Sequence, residues 1–193
     1  MTIEHSSGRR RLIKGLLLTS LAAVATTTVA GPTAAHAAQD SQCPTVDVDR
    51  NAQVIVDLSI LIDAPLPSVW RLQTTIDQWP TWQTNVTRAH LTGPLAVGST
   101  FSWETHGLPV DSTIREVRPM RRIVWGGPAL GIDGVHVWAF TPTRDGVLVH
   151  TTESWDGPPV AADPDGMRAA LTASLSTWLA DLKAAAEAPK RGR

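Results

Sequence analysis

The chain has 193 residues, 42% of them hydrophobic and 18% charged, with a formal net charge of −1. That balance provides no broad basic face, so nucleic acid and anionic membrane are excluded as principal partners. The single cysteine excludes an intramolecular disulfide, so any folded domain must rest on its core.

The first element, residues 1–37, reads as an export signal. Arg9, Arg10 and Arg11 precede Leu12, Ile13 and Lys14, an apolar run diluted by threonines continues to Ala30, and Ala35-His36-Ala37 supplies small residues for cleavage. The arginine pair followed by Leu12-Ile13 resembles a bacterial twin-arginine signal, and an ordinary secretory signal with a basic start is the alternative. The uncharged run is short of the ~20 apolar residues needed for a spanning helix, so no stable membrane anchor is expected. The expected location is outside the cytoplasm, after cleavage near Ala37. Cleavage removes four basic residues and one acidic residue, leaving 156 residues with 13 basic and 17 acidic side chains. That length suits one domain with one core. Residues 38–50, with Cys43 as an unpaired thiol, read as a linker, residues 51–188 as the domain, and 189–193 as a basic tail.

Inside the domain, Val54, Val56, Leu58, Ile60 and Ile62 alternate with mostly polar neighbours, the period of two of a half-buried antiparallel strand. Asp63 to Trp70 turns the chain into a short helix with Val69, Trp70, Leu72, Gln73 and Ile76 on its apolar side, broken at Trp79-Pro80, and Trp82 follows in a second helical turn. Strands are then expected near 86–92, 100–106, 112–117, 122–125, 135–141 and 147–155. They are separated by Gly93-Pro94, Gly107-Leu108-Pro109, Gly126-Gly127-Pro128, Arg144-Asp145-Gly146 and Gly157-Pro158-Pro159. A long helix closes the domain: Asp163 caps it, Pro164 opens it, and Met167, Leu171, Leu175, Trp178 and Leu182 recur at three- and four-residue spacings. The elements add up to an α+β fold, a curved antiparallel sheet of about seven strands wrapped around one long C-terminal helix. A cavity for a small apolar molecule is expected between sheet and helix.

Several spaced blocks resemble one known superfamily. They are Ile62-x-Ala64-Pro65-x-x-x-Val69-Trp70, Trp79-Pro80-x-Trp82, Gly98-x-x-Phe101-x-Trp103, Ile114-x-Glu116-Val117-x-Pro119-x-Arg121-x-Ile123-x-Trp125, Trp138-x-Phe140-x-Pro142 and Glu153-x-Trp155-x-Gly157. The chain resembles START/Bet v 1-like (SRPBCC) proteins of the polyketide cyclase/dehydrase type, over about residues 53–187. The resemblance implies the helix-grip fold. It leaves the chemistry open, because lipid carriers, receptors and cyclases share that fold.

Eight tryptophans, two phenylalanines and no tyrosine make the aromatic inventory unusual. Tryptophan combines a large apolar surface with one donor, which suits a pocket wall that orients a polar atom. The residues expected to line the ligand are Phe101, Trp103, Trp125, Trp138, Phe140, Thr151, Trp155 and Trp178. His136 shares a strand face with Trp138, and Glu153 shares one with Thr151 and Trp155. Counted outward from the Arg144-Asp145-Gly146 turn, His136 and Glu153 fall nearly opposite each other, so they are the candidate acid–base residues. A buried pair that merely satisfies itself is the alternative reading of the same two side chains. No metal spacing, phosphate-binding loop or nucleophile elbow occurs, so no metal or cofactor is expected. The functional expectation is a small hydrophobic or aromatic ligand held between sheet and helix. The alternative is a polyketide cyclase/dehydratase-like enzyme using His136 and Glu153.

Overall fold

The structure, a computed structural model, describes residues 45–189. The expected export signal with its cleavage site, Cys43, and residues 190–193 of the expected basic tail lie outside the described residues. Seven strands form one antiparallel sheet: β1 (Val54–Ile62), β2 (Val86–Thr92), β3 (Thr100–Thr105), β4 (Leu108–Arg118), β5 (Arg122–Ala129), β6 (Ile132–Thr143) and β7 (Gly146–Asp156). Their order across the sheet is β1-β7-β6-β5-β4-β3-β2. Helix α1 (Leu66–Thr74) and a 3-10 turn (Ile76–Thr81) follow β1, a one-turn helix α2 (Pro158–Ala162) follows β7, and α3 (Pro164–Glu187) closes the domain.

The alternation read in β1 is the observed one: Val54, Val56 and Ile62 are buried while Asp57, Ser59 and Leu61 are exposed. The stripe on α3 is also as expected, with Leu171, Leu175, Trp178 and Leu182 buried and Leu179 added. The Asp163 side chain accepts from the Gly166 amide at 3.0 Å, which satisfies one of the helix's free N-terminal donors. Helix α3 also closes the open edge of β1. Arg168 donates to the Ile55 carbonyl at 2.8 Å and Lys183 to the Leu61 carbonyl at 2.7 Å, so groups that would template another strand are occupied.

Two expected breaks lie inside strands. Gly126-Gly127-Pro128 belongs to β5, whose turn into β6 is Leu130-Gly131, both at positive φ (53° and 80°). The glycines serve close packing: a Cβ on Gly126 would sit 2.3 Å from the Gly134 carbonyl oxygen, and one on Gly127 2.7 Å from that of Asp111. Pro109 likewise lies in β4, because the preceding turn is His106-Gly107, again at positive φ. Gly157-Pro158-Pro159, expected as a plain separator, leads into α2, where proline suits the first helical turn.

The residues at 45–50, expected as a linker, pack against the convex face of the sheet. Val46 and Val48 join Val124, Val135 and Val137 in a small apolar cluster. The Val46 amide donates to Glu116 at 2.8 Å, Arg122 donates to the Val46 carbonyl, and the Asp49 amide donates to Ser154 Oγ at 3.1 Å. Glu116 itself is nearly buried and paired with Arg118 and Arg122. This strap covers valines that a one-layer sheet would leave in water.

Leu175 is 1% exposed and packs with Val54, Val56, Val160 and Leu171. Leu175→Ala is expected to lower the unfolding free energy by ~2–5 kcal/mol in urea denaturation. A loss under ~0.5 kcal/mol would mean that this face of α3 does not seal the sheet.

Candidate functional site

Sheet register alone assembles the candidate site. Ile114, Trp125, His136, Glu153 and Val56 form one row across β4, β5, β6, β7 and β1, and Ile123, Trp138, Thr151 and Leu58 form the next. Both rows face α3. His136 and Glu153 are direct partners in the β6–β7 ladder, and His136 Nδ1 lies 3.1 Å from Glu153 Oε2. His136 Nε2 lies 2.9 Å from Thr151 Oγ1, and Trp155 Nε1 donates to Glu153 Oε1 at 2.7 Å.

The proton positions follow from counting donors. Thr151 has one hydroxyl proton, and its Oγ1 donates to the Val137 carbonyl at 3.2 Å. His136 must then donate from Nε2 to Thr151, and in a neutral ring this leaves Nδ1 bare and facing Glu153. A bare nitrogen and a carboxylate oxygen would repel at 3.1 Å, so the carboxyl carries the proton and donates it. Burial favours the same arrangement. Desolvation pushes His136 down to about 3, and it pushes Glu153 up to about 7 against the opposing Trp155 hydrogen bond. The pair is therefore neutral, with a single proton shared between two groups. The carboxyl is its outer end, since the Glu153 side chain keeps 15% exposure and that of His136 only 4%. Gly134 lies beside it, and a Cβ there would meet Glu153 Oε1 at 3.8 Å and the Trp155 ring at 3.6 Å.

Aromatic rings enclose the inner end. The His136 ring lies 4.9 Å from Trp125, 5.0 Å from Trp138 and 5.9 Å from Trp178. Trp79 joins this group to the far strands, at 5.1 Å from Trp178, 5.5 Å from both Trp125 and Phe101, and 5.7 Å from Trp103. This corrects the expected open cavity. In this conformation the space between sheet and α3 is occupied by tryptophan side chains. A shallow concavity of about 570 Å³ opens at the edge strand β2, beside Pro80, Ala89, Trp103 and Pro109. A ligand entering the interior must move rings.

The structure gathers most of the residues expected to line a ligand. Trp125, Trp138 and Trp178 contact His136, Thr151 holds its Nε2, and Trp155 holds Glu153. Phe101 is a neighbour of Trp79 and Trp125. Phe140 sits apart from the pair as a support for α1, edge-on to Trp70 at 5.3 Å. Trp103 is half-buried at the β2 edge and donates to Ser112 Oγ at 3.1 Å. Three contributors went unassigned at the sequence level. Trp79 and Ser112 look like ordinary turn and strand residues in one dimension. Gln73 carried a signal, a polar side chain on the apolar side of α1. It accepts from Trp178 Nε1 through its side-chain oxygen (3.2 Å) and from Trp79 Nε1 through its backbone carbonyl (3.0 Å).

Comparison with known proteins agrees with this architecture. The chain matches a family described as polyketide cyclase / dehydrase and lipid transport over residues 53–187. No curated protein matches it in sequence. Among solved structures, a hypothetical protein from Helicobacter pylori superposes with a TM-score of 0.65 at 18% identity, covering 74% of this chain and 98% of that one. A START superfamily protein from Mycobacterium smegmatis gives a TM-score of 0.60 at 10% identity, covering 69% and 97%. The di-domain ARO/CYC StfQ of the steffimycin biosynthetic pathway gives 0.57 at 20% identity, covering 70% of this chain and 51% of that one, so this chain spans about half its length. Likeness at these identities establishes the shared helix-grip fold, and the family match over the domain goes further: the chain belongs to the polyketide cyclase / dehydrase and lipid transport family.

Proposed function

We propose that this protein binds a small hydrophobic or aromatic molecule between its sheet and α3, with the His136–Glu153 pair as the polar end of the site. One observation carries the reading: a buried carboxyl–imidazole pair, 3.1 Å apart, has its imidazole against the rings of Trp125, Trp138 and Trp178. Rings supply apolar contact area, and the Glu153 carboxyl oxygens, which keep spare acceptor capacity, fix a ligand's orientation. Membership in a family described by cyclase, dehydrase and lipid-transport roles supports the same reading.

A second reading, acid–base catalysis, is favoured by one specific observation. Glu153 is raised to about 7, so near neutral pH it holds its proton about as readily as it gives it up. In that reading the ionised fraction of Glu153 takes a proton from a carbon next to a ligand carbonyl, and the carboxylic acid so formed donates to His136 Nδ1, which holds it in place. We further propose that residues 1–37 act as an export signal, so that either activity would operate outside the cytoplasm.

Three outcomes are expected. First, phenylnaphthylamine, a neutral apolar fluorophore, should bind saturably with a blue-shifted emission, and His136→Ala or Glu153→Gln should weaken that binding more than it lowers the melting temperature. Emission that rises linearly without saturation would remove the site. Second, a folded carboxyl raised from the ordinary 4.5 to about 7 retains a proton that the unfolded chain has lost, so its contribution is present below pH 4.5 and disappears as pH rises through 7. His136 acts in the opposite sense, losing stability as pH falls from 6.5 toward 3. Glu153→Gln should therefore gain in melting temperature relative to the parent between pH 5 and pH 8, and a constant difference would show an ordinary carboxyl. Third, replacing Arg9 and Arg10 by Lys should trap precursor in the cytoplasm, whereas unchanged secretion would sink the twin-arginine route and leave general secretion.

A further inference from the structure

Among the buried donors without partners in the described residues, two lie beside Trp178. Gln73 and Trp138 are both fully buried, at 0% exposure. Neither Gln73 Nε2 nor Trp138 Nε1 has a hydrogen-bond partner among the described residues. The direction of the Gln73 amide is fixed by chemistry. Trp178 Nε1 can only donate, so the atom facing it at 3.2 Å must be the oxygen, and the two N–H groups point away from it. Both donors flank one indole: Gln73 is hydrogen-bonded to Trp178, and the Trp138 ring lies 5.7 Å from the same ring.

An unmade hydrogen bond in a dry interior costs about 1–3 kcal/mol for each donor, and apolar residues of the same shape would avoid that cost. Four other indoles, those of Trp79, Trp103, Trp155 and Trp178, donate to oxygen. Trp82 Nε1 and Gln83 Nε2, at the end of the 3-10 turn, also lack partners, but Gln73 and Trp138 are the ones beside the rings that a ligand would displace.

We propose that Gln73 Nε2 and Trp138 Nε1 are the oxygen-reading donors of the ligand site, and that the ligand is a flat apolar ring system bearing a carbonyl or comparable acceptor. The inference rests on the binding reading above and adds its specificity. Acceptor-bearing rings recover the donors' lost hydrogen bonds, while bare hydrocarbons leave them unmade. Discrimination of this kind is stronger than discrimination by size, because the wrong ligand leaves a buried polar group unpaired.

The test compares two probes of nearly identical shape, fluorenone, which carries a carbonyl, and fluorene, which does not. Their affinities are read from quenching of tryptophan fluorescence in the parent protein, Gln73→Met and Trp138→Phe. The parent is expected to favour fluorenone by roughly tenfold, about the worth of one recovered hydrogen bond. Each substitution should reduce that ratio toward one, because fluorenone affinity falls by a larger factor than fluorene affinity. The Trp138 indole proton should shift downfield on adding fluorenone and not on adding fluorene. Near-ultraviolet circular dichroism checks that each variant keeps its packed rings, and Trp138→Phe carries the test if Gln73→Met does not fold. Equal affinity of the parent for both probes, or a preference that survives both substitutions, overturns the inference while the binding site stands. If neither probe binds the parent, the binding reading fails and the inference falls with it.

Discussion

The pairing register of β6 with β7 is the constraint on which the candidate site depends. Side chains alternate across a sheet, so a slip of one residue would carry His136 from the side facing α3 to the convex side. The register is fixed at the hairpin. Thr143 pairs with Gly146 across the Arg144-Asp145 loop, Thr143 Oγ1 donates to the Gly146 carbonyl at 3.1 Å, and the Asp145 amide donates to Thr143 Oγ1 at 3.2 Å. Gly146 adopts φ 125°, and a Cβ there would fall 2.1 Å from the Ile62 carbonyl oxygen of the neighbouring strand. A tight turn at one end thus decides, seven residues away along the ladder, which groups meet in the interior.

Given that register, desolvation sets the chemistry. Two ionisable groups in contact at 3.1 Å would form an ion pair if water or further donors solvated the charges. Here the imidazole is surrounded by three indole rings and one threonine hydroxyl, and the carboxyl has one indole donor. One neutral hydrogen bond costs less than two charges so poorly solvated, so the proton stays on Glu153. The rings that fill the core are therefore also what makes the carboxyl titrate near neutrality. Filling the space with large indoles and tuning the acid are a single physical fact.

Much of this was legible in the sequence, and the rest was hidden for identifiable reasons. The period of two in β1 and the stripe on α3 are local patterns, and both faces came out as read. His136 opposite Glu153 could be found by counting from a turn, because hairpin register is a short-range property. The glycines of β5 misled for the opposite reason. Gly126 and Gly127 look like a turn in one dimension, but the space they create is occupied by backbone from β6 and β4, which are distant or unpaired until the sheet forms. The strap at Val46 and Val48 was missed because alternating Asp and Val near a proline reads as solvated chain. Its partners, Glu116 and Arg122, lie some 70 residues away. The filled interior was invisible because pattern assigns a side chain to a face and says nothing about how much volume that face must hold.

Volume is also what separates a carrier from a rigid catalyst in this fold. An enzyme site that works by preorganisation holds its polar groups and its open space ready in advance. Here the polar groups are held ready, by Thr151 and Trp155, while the space is not open. Ligand binding must therefore be coupled to movement of Trp178 or its neighbours, and the affinity observed for any ligand is reduced by the work of that repacking. Trp178 is the natural hinge of the change, because it contacts His136, Trp138, Trp125, Trp103 and Trp79 at once and, among the described residues, its side chain is tied by a single hydrogen bond, to Gln73. Breaking that tie frees the Gln73 oxygen as well as the ring. An occupant that replaces both the ring's contacts and the lost hydrogen bond meets the smallest barrier, which selects for molecules that are aromatic and polar at one point.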